Sequence, residues 1–128
     1  MIKVNMPISD EKIRELKVGD SVLLSGIMIT GRDTVHKWMI DTFIEKNKEL
    51  EGDDIEVYEA IKPFLDCGVI YHCGPVVTGL ESGDYKFVAA GPTTSIREEP
   101  YQGRVMDHFN IKGVIGKGGM GAKTLQAC

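Results

Sequence analysis

Cysteine is scarce. Cys67, Cys73 and Cys128 are the whole complement, and no two of them form a CxxC pair. An odd number argues against a closed disulfide framework, so reduced thiols are expected. Their x5 and x54 spacings fit none of the common iron-sulfur ligand patterns, and no metal is assigned to this chain. Long apolar runs are missing as well. None approaches the ~20 residues of a membrane span, and Met1-Ile2-Lys3-Val4-Asn5 leads into no apolar stretch with a small-residue cleavage site. No membrane association is expected, and the cytoplasm is the default location. Nor is there an excess of positive charge: 15 basic residues are scattered among 19 acidic ones, for a net charge of -4. That balance provides no broad positive face to neutralise phosphates, so nucleic acid is not an expected partner.

What remains is a chain with 42% hydrophobic and 27% charged residues, within the usual range for soluble globular proteins. Its 128 residues suffice for one core and one domain, 1–128. Residues 9 to 16 predict a short amphipathic helix, with Ser9 as a cap three before Lys12 and with Ile13 and Leu16 on one side. Val18-Gly19-Asp20 turns the chain into Ser21 to Ile29, which reads as one buried strand. After Thr30-Gly31, Val35, Trp38, Met39, Thr42 and Phe43 recur at helical spacing from Arg32 to about Lys46. Residues 45 to 60, with Glu49, Glu51, Asp53, Asp54, Glu56 and Glu59, read as a solvated loop or exposed helix.

Gly68 to Cys73 and Tyr85 to Ala90 are strand-like runs ending in Gly74-Pro75 and Gly91-Pro92, an echo too short to be a repeat. Residues 98 to 109 predict a helix with Pro100 in its first turn, Val105 and Phe109 on one side, and a stop near Asn110. Lys112 to Ile115 is a short strand, and a last helix begins near Ala122. Strands that deliver glycine-rich turns into helices indicate a compact α/β domain.

Three loops carry chemistry. In Thr30-Gly31-Arg32-Asp33-Thr34-Val35-His36 a helix begins with free N–H groups, and Arg32 can add a bidentate grip on a carboxylate. Asp33 and His36 lie three apart and could hydrogen-bond on a shared face. Taken alone, ordinary capping plus a surface histidine accounts for this loop. Gly91-Pro92-Thr93-Thr94-Ser95-Ile96-Arg97 offers three hydroxyls followed by a cation, although such residues before a helix are more often only caps. In Gly116-Lys117-Gly118-Gly119 the glycines allow an anion-binding concavity beside an ammonium. A nucleotide-binding phosphate loop fails on register, because Ala122 intervenes before Lys123-Thr124. Loops at the carboxyl ends of strands gather on one edge of an α/β sheet. Together these would supply Arg32, Arg97 and Lys117, enough positive charge for a small dicarboxylate and too little for a nucleic-acid strand.

The same loops in this order resemble the β subunit, or C-terminal domain, of the iron-sulfur class I fumarate hydratases and of L-tartrate dehydratase. The resemblance rests on Leu24-Ser25-Gly26 with Thr30 to Lys37, on Val69-Ile70-Tyr71-His72-Cys73-Gly74-Pro75, on Ala90 to Ser95 with Arg97, and on Val114 to Gly121. It covers most of residues 15 to 128, and GPTTS and GKGGMG are its most distinctive stretches.

The resemblance implies a swivelling β/β/α domain that completes the active site of an α subunit carrying a 4Fe-4S cluster, in a homodimer or an α2β2 assembly. It implies a hydro-lyase active only with that partner: a fumarate hydratase interconverting fumarate and malate or, alternatively, an L-tartrate dehydratase. By motif matching, Arg32, Arg97 and Lys117 would bind carboxylates, Thr93 would exchange the proton on the carbon beside the hydroxyl-bearing one, and Thr94 would support it. A threonine hydroxyl is too weakly acidic to ionise near neutrality, so Lys117 is the candidate activator, with Asp33 and His36 orienting Arg32 or relaying a proton. A non-catalytic, carboxylate-binding regulatory module is the rival from another class, and intact Thr93, Arg97 and Lys117 argue against it. Two departures stand out. Ser95-Ile96-Arg97-Glu98-Glu99 is nearer the tartrate-type pattern, and the chain stops at Cys128 where members continue to another strand, which implies C-terminal truncation or an unusually short subunit.

Overall fold

The computed structural model describes residues 1–45 and 52–128. Along the chain lie β1 (Ile2–Asn5), α1 (Asp10–Glu15), β2 (Val22–Ser25), β3 (Ile29–Thr30), α2 (Asp33–Met39) prolonged by a π-helical stretch (Ile40–Ile44), α3 (Asp53–Leu65), β4 (Val69–Tyr71), β5 (Val76–Thr78), β6 (Lys86–Ala89), α4 (Glu99–Phe109), β7 (Gly113–Ile115) and α5 (Ala122–Ala127). This is a small mixed α/β fold. No helix among the described residues is long and apolar enough to cross a membrane.

Local chemistry sets the helix ends. The Ser9 hydroxyl accepts a bond from the Lys12 amide at 3.2 Å and opens α1. Pro100 stands in the first turn of α4, and Asn110, left-handed at φ 57°, closes it. The acidic stretch forms α3, whose only fully buried residue is Leu65; Lys46, Glu49 and Glu51 lie outside the described residues.

Residues 21 to 29 are not one buried strand. Gly26, at φ 131°, breaks the run into β2 and β3, which join different sheets, and Val22 and Leu23 in β2 are exposed. A Cβ on Gly26 would approach Met6 Cβ to 2.9 Å, so the chain crosses there too closely for a side chain. The echo between the two strand runs also dissolves. β4 is central and buried, whereas β6 pairs only with β5 in an exposed antiparallel hairpin.

The central sheet is parallel, in the order β3-β4-β7, with Ile70 of β4 opposite Ile29 on one side and Val114 on the other. Adjacent residues of β4 serve opposite faces, as the two-residue strand period requires. Ile70 packs with Met39, Ile40, Phe43, Leu65, Val105, Met106 and Phe109 from the helices. Val69 packs on the other face with Val4 and Ile8, backed by Leu24, Ile13 and Leu16 around the parallel β1-β2 pair. Buried on both faces, the sheet gives the loops at its carboxyl edge a rigid base.

Candidate active site

Three loop systems converge on the carboxyl end of β4. His72, just beyond β4, donates its amide to Ile115 O of β7 at 2.7 Å, while the amide of Gly31, just beyond β3, goes to Tyr71 O at 3.0 Å. Although β6 lies outside the central sheet, the loop after it is captured: Thr93 gives its amide at 2.7 Å and its hydroxyl at 2.9 Å to His72 O. The β7 loop closes the ring. Lys117 N donates to Thr93 O at 3.2 Å, and the Ser95 amide is shared between Lys117 O and Gly118 O at 3.0 Å each.

The outcome is one open cavity of about 440 Å³ lined by Arg32, Pro92, Thr93, Thr94, Ile96, Arg97 and Lys117. A neighbouring hollow shares Arg32 and Arg97 and extends over Thr30 to Val35 and Cys73 to Pro75. Every residue expected to grip a carboxylate therefore lines a single concavity. Among the described residues none of Arg32, Arg97 and Lys117 is ion-paired. Three cations gathered without internal carboxylate partners create a positive field that a small dianion would neutralise.

Glycines make the approach possible. A Cβ at Gly74 would sit 3.3 Å from Arg32 Cδ, so the arginine stem lies along this glycine. At Gly116 a Cβ would collide with Ser95 Oγ and come within 2.7 Å of His72 Nδ1. Gly118 and Gly119 both adopt positive φ, 57° and 89°, and a Cβ at the second would strike Ile96.

His36 departs from expectation. It is fully buried, and its Nδ1 donates to Arg32 O at 2.8 Å rather than bonding Asp33. The backbone amide of His36 reaches the same carbonyl at 3.1 Å. Asp33 sits half-buried in the first turn of α2. The two side chains are not hydrogen-bonded to each other, and His36 is bonded to the backbone of Arg32.

Beneath the cavity lies a polar layer that the sequence reading did not identify. His72, fully buried, pairs its Nδ1 with the buried Ser95 Oγ at 2.8 Å and meets the His36 ring edge-on at 5.2 Å. Burial pushes the His72 pKa down to about 4, with His36 adding to the effect, and burial lowers His36 too. The Nε2 atoms of both rings are buried without a partner, so protonation would add a charge to a ring that already has one nitrogen unpaired. Both rings are neutral near pH 7. Burial raises the pKa of Glu98, whose carboxylate lies under the site with the nearby Arg32 and Arg97 opposing that rise.

Glu99 ties the far end of the third loop to α4. It accepts from Gly121 N at 2.5 Å, Thr124 N at 3.1 Å and Thr124 Oγ1 at 2.7 Å, and these bonds hold its carboxyl down at about 2. Gln102 also donates to Thr124 Oγ1. The signal for this layer was a histidine at the end of a buried strand, His72, one residue before a Gly-Pro turn.

The whole chain, residues 1–128, matches the family described as Fumarase C-terminus. The chain belongs to the fumarase C-terminus family. It is 50% identical over 127 residues to a provisionally named class I fumarate hydratase of Geobacillus stearothermophilus, covering 99% of this chain and 21% of that protein. Against the L(+)-tartrate dehydratase subunit beta of Escherichia coli (strain K12) it is 33% identical over 123 residues, 95% of this chain and 53% of the relative. A provisionally named tartrate dehydratase subunit beta of Methanocaldococcus jannaschii is 31% identical over 119 residues, 93% of this chain and 54% of the relative. The chain thus spans from a fifth to about half of the length of these relatives.

The cysteines of this chain do not fit an iron-sulfur cluster. Cys73 is buried, Cys67 half-buried and Cys128 exposed, and among the described residues no group of three His, Cys, Asp or Glu could hold a metal.

Proposed function

We propose that residues 1–128 form one swivelling β/β/α domain that supplies the carboxylate-binding and proton-exchanging half of a hydro-lyase, a fumarate hydratase interconverting fumarate and malate. The observation that carries this reading is the single cavity lined by Arg32, Arg97 and Lys117, free of ion pairs among the described residues, together with Thr93 and Thr94. Hydration adds a hydroxyl to one carbon and a proton to its neighbour, with no net change of oxidation state in the pair. This chain handles the proton and the carboxylates. The two guanidiniums and the ammonium clamp the two ends of the dianion, and the clamp fixes the carbon to be protonated against Thr93. In hydration the Thr93 hydroxyl gives its proton to the carbon, and Lys117, joined to Thr93 through its backbone and lining the same cavity, supplies positive charge that favours the alkoxide left behind; dehydration returns the carbon's proton to that alkoxide.

The 4Fe-4S cluster is assigned to a partner subunit, since the cysteines here do not fit it. Tartrate is the second candidate substrate, favoured by the identity to tartrate dehydratase β subunits and by Ile96-Arg97-Glu98-Glu99 after the hydroxyl run. Anaerobic co-expression with a cluster-bearing partner, followed by assays of fumarate hydration and tartrate dehydration, tests both. Activity only in the mixture supports the two-part enzyme and identifies its substrate. An intact co-purified cluster with neither activity rejects both substrates.

A further inference from the structure

We infer that His72, anchored by Ser95, is a positioning residue that sets the hydroxyl of Thr93 for its work in the cavity. The inference rests on the hydro-lyase reading above and goes beyond it by assigning a role to a buried residue that never meets substrate.

His72 is where the loops meet. Its amide is fixed on Ile115 O at 2.7 Å, its carbonyl takes both donors of Thr93, and its ring is held by Ser95 at 2.8 Å. Both side chains are completely buried. The edge of His36, whose own Nδ1 braces the Arg32 carbonyl, lies against the ring. A Cβ at Gly116 would intrude on both Ser95 Oγ and His72 Nδ1, so the pair has no room to take another pose.

The consequence falls on Thr93. A hydroxyl has one hydrogen and two lone pairs. With its hydrogen on His72 O, Thr93 Oγ1 is held at a fixed point beside the cavity, and a rotation about Cβ–Oγ1 suffices to give that hydrogen to the carbon being protonated. If the ring shifts, the carbonyl shifts with it and the oxygen loses that fixed point. Effective positioning of this kind changes turnover far more than it changes the affinity of a carboxylate clamp built from other residues.

Two readouts test the role. In the full chain, amide hydrogen exchange at Thr93 should accelerate by about tenfold or more in Ser95→Ala and His72→Leu, with Ile70 and Val114 keeping wild-type protection. Unchanged exchange at Thr93, or loss of protection across the central sheet in both variants, overturns the inference. In the assembled enzyme the same variants should lower kcat by roughly 10- to 100-fold with KM within about twofold of wild type, and His72→Gln, which can still reach Ser95, should recover part of the loss. A rise in KM at unchanged kcat overturns it as well. Should the wild-type assembly turn over neither dicarboxylate, the hydro-lyase reading fails, and the exchange data then decide the positioning role alone.

Discussion

Thr93 gives both of its donors to His72: amide and hydroxyl end on one carbonyl oxygen, at 2.7 and 2.9 Å. This double bond of loop to strand end brings the β6 loop, which hangs from a peripheral hairpin, onto the central sheet and into register with Lys117. Backbone hydrogen bonds thus hold the three loops together at the site. Its side chains supply charge to a frame that is already set.

Lys117→Ala in the assembled enzyme should lower turnover by about 100-fold or more, because it removes the charge proposed to act on Thr93 and the dianion. Steady-state kinetics of a variant that still co-purifies with its partner checks this. Near-normal turnover would exclude the assigned role.

Arg32→Lys and Arg97→Lys keep the charge but lose the planar fork, and each should raise KM by roughly tenfold with a smaller effect on kcat. An initial-rate comparison across dicarboxylate concentrations is the measurement. Equal KM values for wild type and both variants would remove the arginines from the clamp.

Gly116→Ala should destabilise the isolated chain by about 1 to 3 kcal/mol, the usual cost of forcing a methyl into filled space. Here it would press on Ser95 Oγ and His72 Nδ1. Gly91→Ala, with no atom within 4 Å of the added carbon and, like Gly116, no positive φ, is the control. Urea midpoints compare the two; a loss at Gly116 no larger than at Gly91 would contradict the packing described.

Acid should weaken the fold in two stages. His72 titrates at about 4 when folded, against an ordinary 6.5, and His36 is shifted the same way. The unfolded chain then takes up protons first, so stability present above pH 6.5 declines as pH falls toward 4, by on the order of 3 kcal/mol from His72. Glu99, held at about 2 against an ordinary 4.5, extends the decline from pH 4.5 toward 2. Glu98, raised by burial, acts in the opposite sense, since protonation relieves its buried charge. Thermal melts between pH 7.5 and 3 should show the upper stage in wild type and its reduction in His72→Gln. Flat stability down to pH 5 would contradict neutral, buried histidines.

The gathering of Arg32, Thr93, Thr94, Arg97 and Lys117 around one cavity was legible because each follows a strand-like run, and loops at strand ends gather on one edge. Local spacing also placed α1, α4 and their caps. It could not reveal His72 with Ser95, which are 23 residues apart and meet because the loop after β6 is captured at the end of β4 and against Lys117. Nor could it tell that His36 turns inward, because a histidine three residues after an aspartate looks the same whether it meets that carboxylate or its own i−4 carbonyl. The division of residues 21 to 29 escaped for a related reason: Gly26 turns where β1 crosses into β2's sheet, a contact with Met6 twenty residues upstream. Val76 to Thr78 was missed because β5 is short and exposed, with no buried face to impose a pattern.

The central claim is that this chain brings the proton-exchanging hydroxyl to a site completed by a partner. Titrating the chain into an anaerobically purified, cluster-bearing partner and following dicarboxylate turnover tests it most directly, with Thr93→Val as the second titrant. The account predicts activity that rises to a plateau at one chain per partner, and a Thr93→Val chain that binds equally well yet restores almost none. Full activity of the partner alone, or full restoration by Thr93→Val, would contradict it.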